Sequence, residues 1–260
     1  MTNKEQMKIA DILPQSIASI RSEIHSSPLY SHPTSCLWQK SLSSNNQFCR
    51  AVVKTGLLTW DQMLSVTCRY CLGITKRGGV IFWQIDQEGQ VHDGKVMYYQ
   101  SDCHRCKSAG YNPTWVSFLL ARRHHMAKGT TVSSHCFFGL HLLSSAERYS
   151  SVCIVEAEKT ACILSEKYPD YIWLAAGGLG EVQTSKFRAL RGRKVILFPD
   201  TDPDGTAFQR WYEAAEAVMA SDFWEGSPPI HVSSLLERHA TAEQKERKID
   251  LVEFLMESEK

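Results

Sequence analysis

Two aspartates one residue apart, Asp200 and Asp202, stand in the run Ile196-Leu197-Phe198-Pro199-Asp200-Thr201-Asp202-Pro203-Asp204-Gly205. A third carboxylate, Glu156, closes the short apolar run Val152-Cys153-Ile154-Val155. Such a set suits Mg²⁺ or Mn²⁺, hard cations that take a few carboxylate oxygens and complete their shell with water and substrate phosphates. The chemistry would be phosphoryl transfer, in which the ion offsets charge on the moving phosphate. Asp and Gly after a strand are also common turn and cap residues. Asp202 or Asp204 therefore fits equally as the cap of a helix beginning near Thr206, and Glu156 as a solvated strand end.

Position gives the three carboxylates their weight. From Ser151 the sequence alternates strand and helix: a strand at Val152 to Val155, a helix to about Tyr168, and a strand at Tyr171 to Ala175. A strand at Lys194 to Phe198, a helix from Thr206 to about Ala220, and a short strand at Ile230 to Val232 follow. This alternation predicts a parallel sheet flanked by helices. Ligands of such sheets gather outside the carboxyl ends of the strands, where Glu156 and Asp200 fall.

The preceding stretch has a different texture. Residues 4–25 have helical spacing broken by Pro14, and Ser26 to Asn46 reads as a loop rich in Ser, Pro and Asn. Two short helices follow, the second opened by a capping box from Thr59 and Gln62. Val80 to Ile85, the turn Asp86-Gln87-Glu88-Gly89 and Val91 to Tyr99 predict a β-hairpin. Asn112-Pro113 suits a helix start, with Trp115, Phe118 and Leu119 on one face. The division expected is a helix and linker over 1–43, an α+β subdomain with a small antiparallel sheet over 44–148, an α/β domain over 149–235 and a helical tail over 236–260.

The order strand-Glu, helix, strand with small residues (Ala175-Ala176-Gly177-Gly178), strand-Asp-x-Asp-x-x-Gly, helix resembles the Toprim domain of bacterial primases, topoisomerases and certain nucleases. The resemblance implies that Glu156 moves a proton or ligates metal and that Asp200 and Asp202 hold Mg²⁺. Asp204 and Asp250 are further candidates, Asp250 serving equally as the cap of the last helix. Ala157 stands where the family has glycine, which makes Glu158 a rival to Glu156.

The region from Gly79 to Asp86, then Gly89, Lys95 and Phe138-Gly139-Leu140, is similar to the catalytic core of bacterial replicative primases. With Ile249-Asp250-Leu251 included, the chain resembles primase-like proteins of bacterial mobile elements. The resemblance implies nucleic acid, single-stranded DNA above all, and nucleotides as partners, with a replication or mobile-element protein beside them. Lys95, Arg105, Lys107, Arg122 and Arg123 are the basic candidates for a strand-binding groove, and Trp83, Tyr98, Tyr99 and Trp115 for base stacking. Basic residues on a solvated surface and aromatics in a core are the plainer account of both sets. The activity implied is primase-like nucleotidyl transfer; a Toprim nuclease and a non-catalytic nucleic-acid-binding accessory are the alternatives. With Cys36 and Cys49 the sole cysteines before residue 60, no zinc ribbon is expected there, which counts against autonomous template recognition.

Cys68-Arg69-Tyr70-Cys71 and Cys103-His104-Arg105-Cys106 have the pair spacing of a four-cysteine zinc site. The segment between them is longer than in a compact ribbon and contains the hairpin, so reduced cysteines around a small sheet are the reading preferred over zinc. Composition sets outer limits. A net charge of +1 supplies no global basic field, so attraction to nucleic acid must be local. No apolar run approaches the roughly 20 residues of a membrane span, and the N-terminus lacks the apolar core of a secretory signal, so a cytoplasmic protein is expected.

Overall fold

Residues 38–123 and 135–258 are described in the computed structural model; the helix expected over 4–25 with its Pro14, and Cys36, lie outside them. Within the loop expected over 26–46, residues 38–41 are helical. Asn46 then caps helix α1 (Gln47–Lys54), its side chain accepting the Cys49 N–H at 2.9 Å. The polar composition that suggested a long loop therefore includes a cap. Helix α2 (Trp60–Arg69) opens on the capping box of Thr59 and Gln62.

The described residues form two compact units. The first comprises 38–85 and 89–123, the second 86–88 and 135–258. The first contains a four-stranded antiparallel meander of β1 (Gly73–Ile74), β2 (Val80–Ile85), β3 (Val91–Met97) and β4 (Thr114–Trp115), in that order. All of β2 is buried, so both faces of this sheet are covered. Ile81, Trp83 and Ile85 join Trp38, Val96, Tyr98 and Val116 on one side. Phe82 meets Phe48 of α1 edge-on at 5.4 Å. Trp83 lies opposite Gly94 across the β2–β3 ladder, and a Cβ at Gly94 would come within 2.7 Å of the Trp83 ring. Glycine is what that close approach requires.

The helix expected at Asn112-Pro113 begins later. Thr114 and Trp115 pair with Val96 and Lys95 as β4, and helix α3 runs Val116–Arg123. Its start is set by Asp93, a fully buried carboxylate of β3. Asp93 accepts N–H bonds from Gly94 (2.7 Å) and Ser117 (3.0 Å), and the Ser117 hydroxyl bonds its other oxygen. An acceptor from a distant strand overrode the local proline signal. The common face expected for Trp115, Phe118 and Leu119 also fails, since Trp115 is in a strand while Phe118 and Leu119 are exposed. Asp93→Ala should lower stability by about 2–4 kcal/mol, because two backbone N–H groups and a hydroxyl lose their acceptor inside the protein. Urea unfolding checks this; a change below about 1 kcal/mol would show that α3 is anchored elsewhere.

The second unit holds a four-stranded parallel sheet of β5 (Val152–Val155), β6 (Ile172–Ala175), β7 (Val195–Phe198) and β8 (His231–Val232), in the order β6-β5-β7-β8. Helix α4 (Glu158–Lys167) links β5 to β6, and α5 (Thr206–Met219) links β7 to β8. Val152, Ile154, Leu174, Val195 and Leu197 pack with Trp211, Ala215 and Val218 of α5 and with Phe137 and Phe187. Cys153 and Val155 point the other way and are equally buried. Burial on both faces explains the continuous apolar strands. Three short helices, α6 (Leu235–His239), α7 (Ala242–Arg247) and α8 (Leu251–Ser258), complete the unit. The α/β architecture, a parallel sheet flanked by helices and preceded by a small antiparallel sheet, is thus as the sequence implies. No helix among the described residues is long and apolar enough to cross a membrane.

Candidate functional site

Strand order fixes where chemistry can occur in the second unit. The chain leaves β5 for β6 on one side, then returns to place β7 on the other. The crevice of such a sheet opens outside the carboxyl ends of the two strands flanking this reversal. Val155 is level with Phe198 across the parallel ladder, so Glu156 follows one of these ends and Asp200 the other. The Glu156 carbonyl accepts the Gly177 N–H at 2.9 Å, which ties the small-residue turn after β6 to the same edge. The sequence placed these residues at strand ends; it did not reveal that β5 and β7 are adjacent.

Asp200 retains a narrow opening to solvent while protein crowds it on nearly every side. Among the described residues its carboxylate accepts no hydrogen bond and forms no ion pair. Burial, followed by the charges of Asp250 and Glu156, pushes its pKa well above the usual carboxylate range; Lys159 opposes them. A crowded carboxylate beside two others, with no protein donor, is one whose charge a proton, a cation or solvent must offset.

Asp202 is placed differently. Its Oδ1 accepts the N–H groups of Asp204 and Thr206 at 3.0 Å each, and its Oδ2 that of Ala207 at 2.6 Å. Burial would raise its pKa, but these N–H groups at the start of α5 hold it below the ordinary value. Asp202 thus ties the loop to the helix, whose positive N-terminal end favours a carboxylate. The exposed Asp204 contributes its backbone N–H to that turn.

Asp250 is the buried cap of α8. Its Oδ1 accepts the Glu253 N–H at 2.9 Å, while Glu253 reaches back to the Asp250 N–H at 3.4 Å. Its Oδ2 accepts the Thr160 hydroxyl at 2.8 Å and lies 2.9 Å from the Lys159 ammonium. Burial opposes ionisation, yet the Lys159 charge and these hydrogen bonds hold Asp250 below the usual range. Lys159 also lies 3.3 Å from Glu253. Lys159, Thr160 and Glu253 were missed as participants, although Asp250-x-x-Glu253 has the form of a capping box. The Thr201 N–H donates to the Ile249 carbonyl at 3.3 Å, joining the aspartate loop to the segment that carries Asp250. Glu158 is buried in the first turn of α4.

Among the described residues, no group of three or more His, Cys, Asp or Glu side chains is arranged to hold a metal ion. The carboxylates whose charges act on Asp200 are Asp250, Glu156 and Glu253, and among the described residues they form no closed cage. All eight cysteines of the described residues are free thiols, and Cys68, Cys71 and Cys103 are buried while Cys106 is half-exposed. Cys71 and Cys103 have left-handed backbone (φ 53° and 65°), each at a turn.

In the first unit, Lys95 lies in β3 opposite Phe82 and Trp115. Arg105, Lys107, Arg122 and Arg123 are exposed, the last two in the final turn of α3. The stacking candidates fare worse. Trp83, Tyr98 and Tyr99 are core residues, 0%, 7% and 8% exposed, and only Trp115 has a half-exposed ring. Trp83 lies in β2, which is buried on both faces, while Tyr98 and Tyr99 follow β3 and pack on Tyr111 and Phe48, so none of the three presents a face to a base.

The chain is similar in structure to the primase fragment of the bacteriophage T7 primase-helicase protein (14% identity, TM-score 0.44), covering 75% of this chain and 66% of that one, just under two thirds of its length. It is also similar to the E. coli primase catalytic core (13% identity, TM-score 0.47, 86% of this chain and 81% of that one). A third similar structure is the DnaG primase catalytic domain bound to ssDNA (14% identity, TM-score 0.46, 93% and 83%). Comparison with curated proteins gives no significant match. A family model described as a domain of unknown function, DUF6371, matches residues 46–201, more than half of the chain, and the chain belongs to that family.

Proposed function

We propose that the second unit is a Toprim-type site that uses Mg²⁺ or Mn²⁺ for phosphoryl transfer on nucleic acid, and that its activity is primase-like nucleotidyl transfer. The observation that carries this reading is Asp200, an enclosed carboxylate without a hydrogen-bond donor, set beside Glu156 and Asp250. A divalent cation would relieve that repulsion. Two protein carboxylates suffice for Mg²⁺, which keeps several waters and takes substrate phosphates in place of a full protein cage. The donor set therefore fits the ion, with Glu156 and Asp200 as the residues that would hold it.

When bound, such an ion offsets the charge on the transferring phosphoryl group and the leaving oxygen. Asp200 supplies its oxygens from a fixed position at the end of β7. Asp202 acts on that position, holding the loop against the N-terminus of α5 through three backbone N–H groups. Glu156, which follows the adjacent strand β5 and whose charge acts on Asp200, would take a proton from an attacking hydroxyl or share the metal. Behind the site the Lys159 ammonium is shared by Asp250 and Glu253, and its charge only partly offsets the repulsion that Asp250, Glu156 and Glu253 exert on Asp200.

The test is incubation with single-stranded DNA, labelled nucleotides and Mg²⁺, beside an Asp200→Ala/Asp202→Ala variant. New oligonucleotides, lost by at least about 100-fold in the variant, are expected for a group that stabilises transition-state charge. Shortened substrate would replace the primase reading with the nuclease one. Neither product, across several templates and both metals, would leave a non-catalytic accessory.

A further inference from the structure

The first unit has a cleft of about 310 Å³ between helix α1 and the turn after β3. It is lined by Gln47, Arg50 and Lys54 from one wall and by Tyr99, Gln100 and Ser101 from the other, over a floor at Ala51. The lining therefore holds two cations, two side-chain amides and two hydroxyl-bearing side chains, Ser101 and Tyr99, with no carboxylate. Arg50 and Lys54 are four residues apart on α1 and share its face. Tyr99 is held rigidly, packed on Phe48 at 5.1 Å.

The polar groups are placed yet largely unused. Arg50 is anchored through one nitrogen, Nη1, which donates to the Asn45 carbonyl at 2.9 Å and to Asn45 Oδ1 at 2.7 Å. That anchor fixes the guanidinium and leaves its remaining N–H groups for another acceptor. Among the described residues, neither Lys54 nor the side chains of Gln47, Gln100 and Ser101 have a hydrogen-bond or ion-pair partner. Gln47 extends the surface toward the β1–β2 turn: its N–H donates to the Gly78 carbonyl at 2.8 Å. In that turn Arg77 lies over the Tyr111 ring at 4.5 Å, a second cation held in a fixed orientation.

We propose that this cleft binds the phosphodiester backbone of a single-stranded nucleic acid, without reading its sequence. Cations supply affinity for phosphate, while amides and hydroxyls orient it; nothing in the lining is arranged as a hydrogen-bonding pattern for a particular base. The basic residues singled out from sequence, Lys95, Arg105, Lys107, Arg122 and Arg123, do not line it. The inference rests on nucleic acid being the substrate class, but not on the metal site.

The experiment measures binding of a fluorescent oligothymidylate by anisotropy in EDTA, at several salt concentrations, with the whole chain. Arg50→Ala/Lys54→Ala is expected to weaken binding by about tenfold or more. The salt dependence should become shallower by roughly 1.4 in log–log slope, about 0.7 per lost single-strand contact. Gln100→Glu, which changes the opposite wall, should weaken binding in the same direction. A charge-matched control, Arg210→Ala/Arg238→Ala in the second unit, should leave it unchanged. Loss in the control as large as in the cleft variants, or no loss in those variants, overturns the site. Displacement of the oligonucleotide by inorganic phosphate or ATP at equal phosphate concentration overturns the strand as its occupant. No binding by the unaltered chain overturns the nucleic-acid reading itself. Because EDTA is present throughout, failure of the metal site does not affect the result.

Discussion

Asp200→Asn should make the metal-free protein more stable while abolishing its stabilisation by Mg²⁺. Burial and the neighbouring charges of Asp250 and Glu156 disfavour the ionised Asp200, and no hydrogen-bond donor compensates it. Neutral isosteres of poorly compensated buried charges are often more stable, by about 1–4 kcal/mol. The asparagine keeps shape and removes repulsion. Its pH dependence separates this cause from incidental repacking. A folded-state pKa raised above the ordinary value, about 3.9, means that the native protein holds the Asp200 proton more tightly than the unfolded chain. The stability so gained is fully present below about pH 4 and is lost as pH rises through the raised folded value. That loss should be seen in EDTA with the unaltered protein and be absent from Asp200→Asn. Asp202 and Asp250 have lowered folded values and opposite sign. Their contribution is present above about pH 4 and disappears as pH falls through those lower values. Thermal unfolding from pH 3 to 8 checks both limbs. An Asp200→Asn variant less stable than the parent near pH 7 would contradict the electrostatic picture.

Asp250→Ala should have the largest destabilising effect of any change at the site. It removes the cap of α8, the acceptor of the Thr160 hydroxyl and the nearer partner of the Lys159 ammonium. Breaking a buried ion pair from one side costs about 3–5 kcal/mol, chiefly through the charge left behind. Glu253 still lies 3.3 Å from Lys159 and Asp200 is relieved of a repulsive neighbour, so the lower end of that range is expected. The two carboxylates are therefore coupled. In an Asp200→Asn background no repulsion remains to be relieved, and the loss from Asp250→Ala should be greater by about 1 kcal/mol. Urea unfolding of the four proteins in the cycle gives the coupling directly. Additive effects would show that Asp200 and Asp250 do not sense each other.

Much of the second unit is legible from local pattern alone. Strands buried on both faces give apolar runs that cannot be mistaken for surface, and the following turns are marked by Glu156 and by Pro199-Asp200. The side-by-side placement of β5 and β7 is not local, so the convergence of Glu156 with Asp200 needed the sheet order. The roles of Asp202 and Asp250 were ambiguous for a similar reason. A carboxylate that caps a helix and one that awaits a cation look alike in sequence, and only backbone N–H directions distinguish them. The first unit shows the converse failure. Trp83, Tyr98 and Tyr99 resemble a stacking surface until Trp83 is covered on its strand and Tyr98 and Tyr99, just past β3, pack on Tyr111 and Phe48. The start of α3 was misplaced because its anchor, Asp93, lies 24 residues from Ser117. Arg50 and Lys54 escaped notice as ordinary helix cations; their cleft depends on a turn that approaches from after β3.

In the proposed site, Glu156 and Asp200 together hold a divalent cation. Mn²⁺ titration followed by electron paramagnetic resonance tests it most directly, with the unaltered protein beside Asp200→Asn and Glu156→Gln. About one tightly held ion per chain is predicted, displaced by Mg²⁺, with affinity reduced about tenfold or more in either variant, a difference of about 1.4 kcal/mol. Equal Mn²⁺ affinity in all three proteins, or no bound ion in the first, would contradict it.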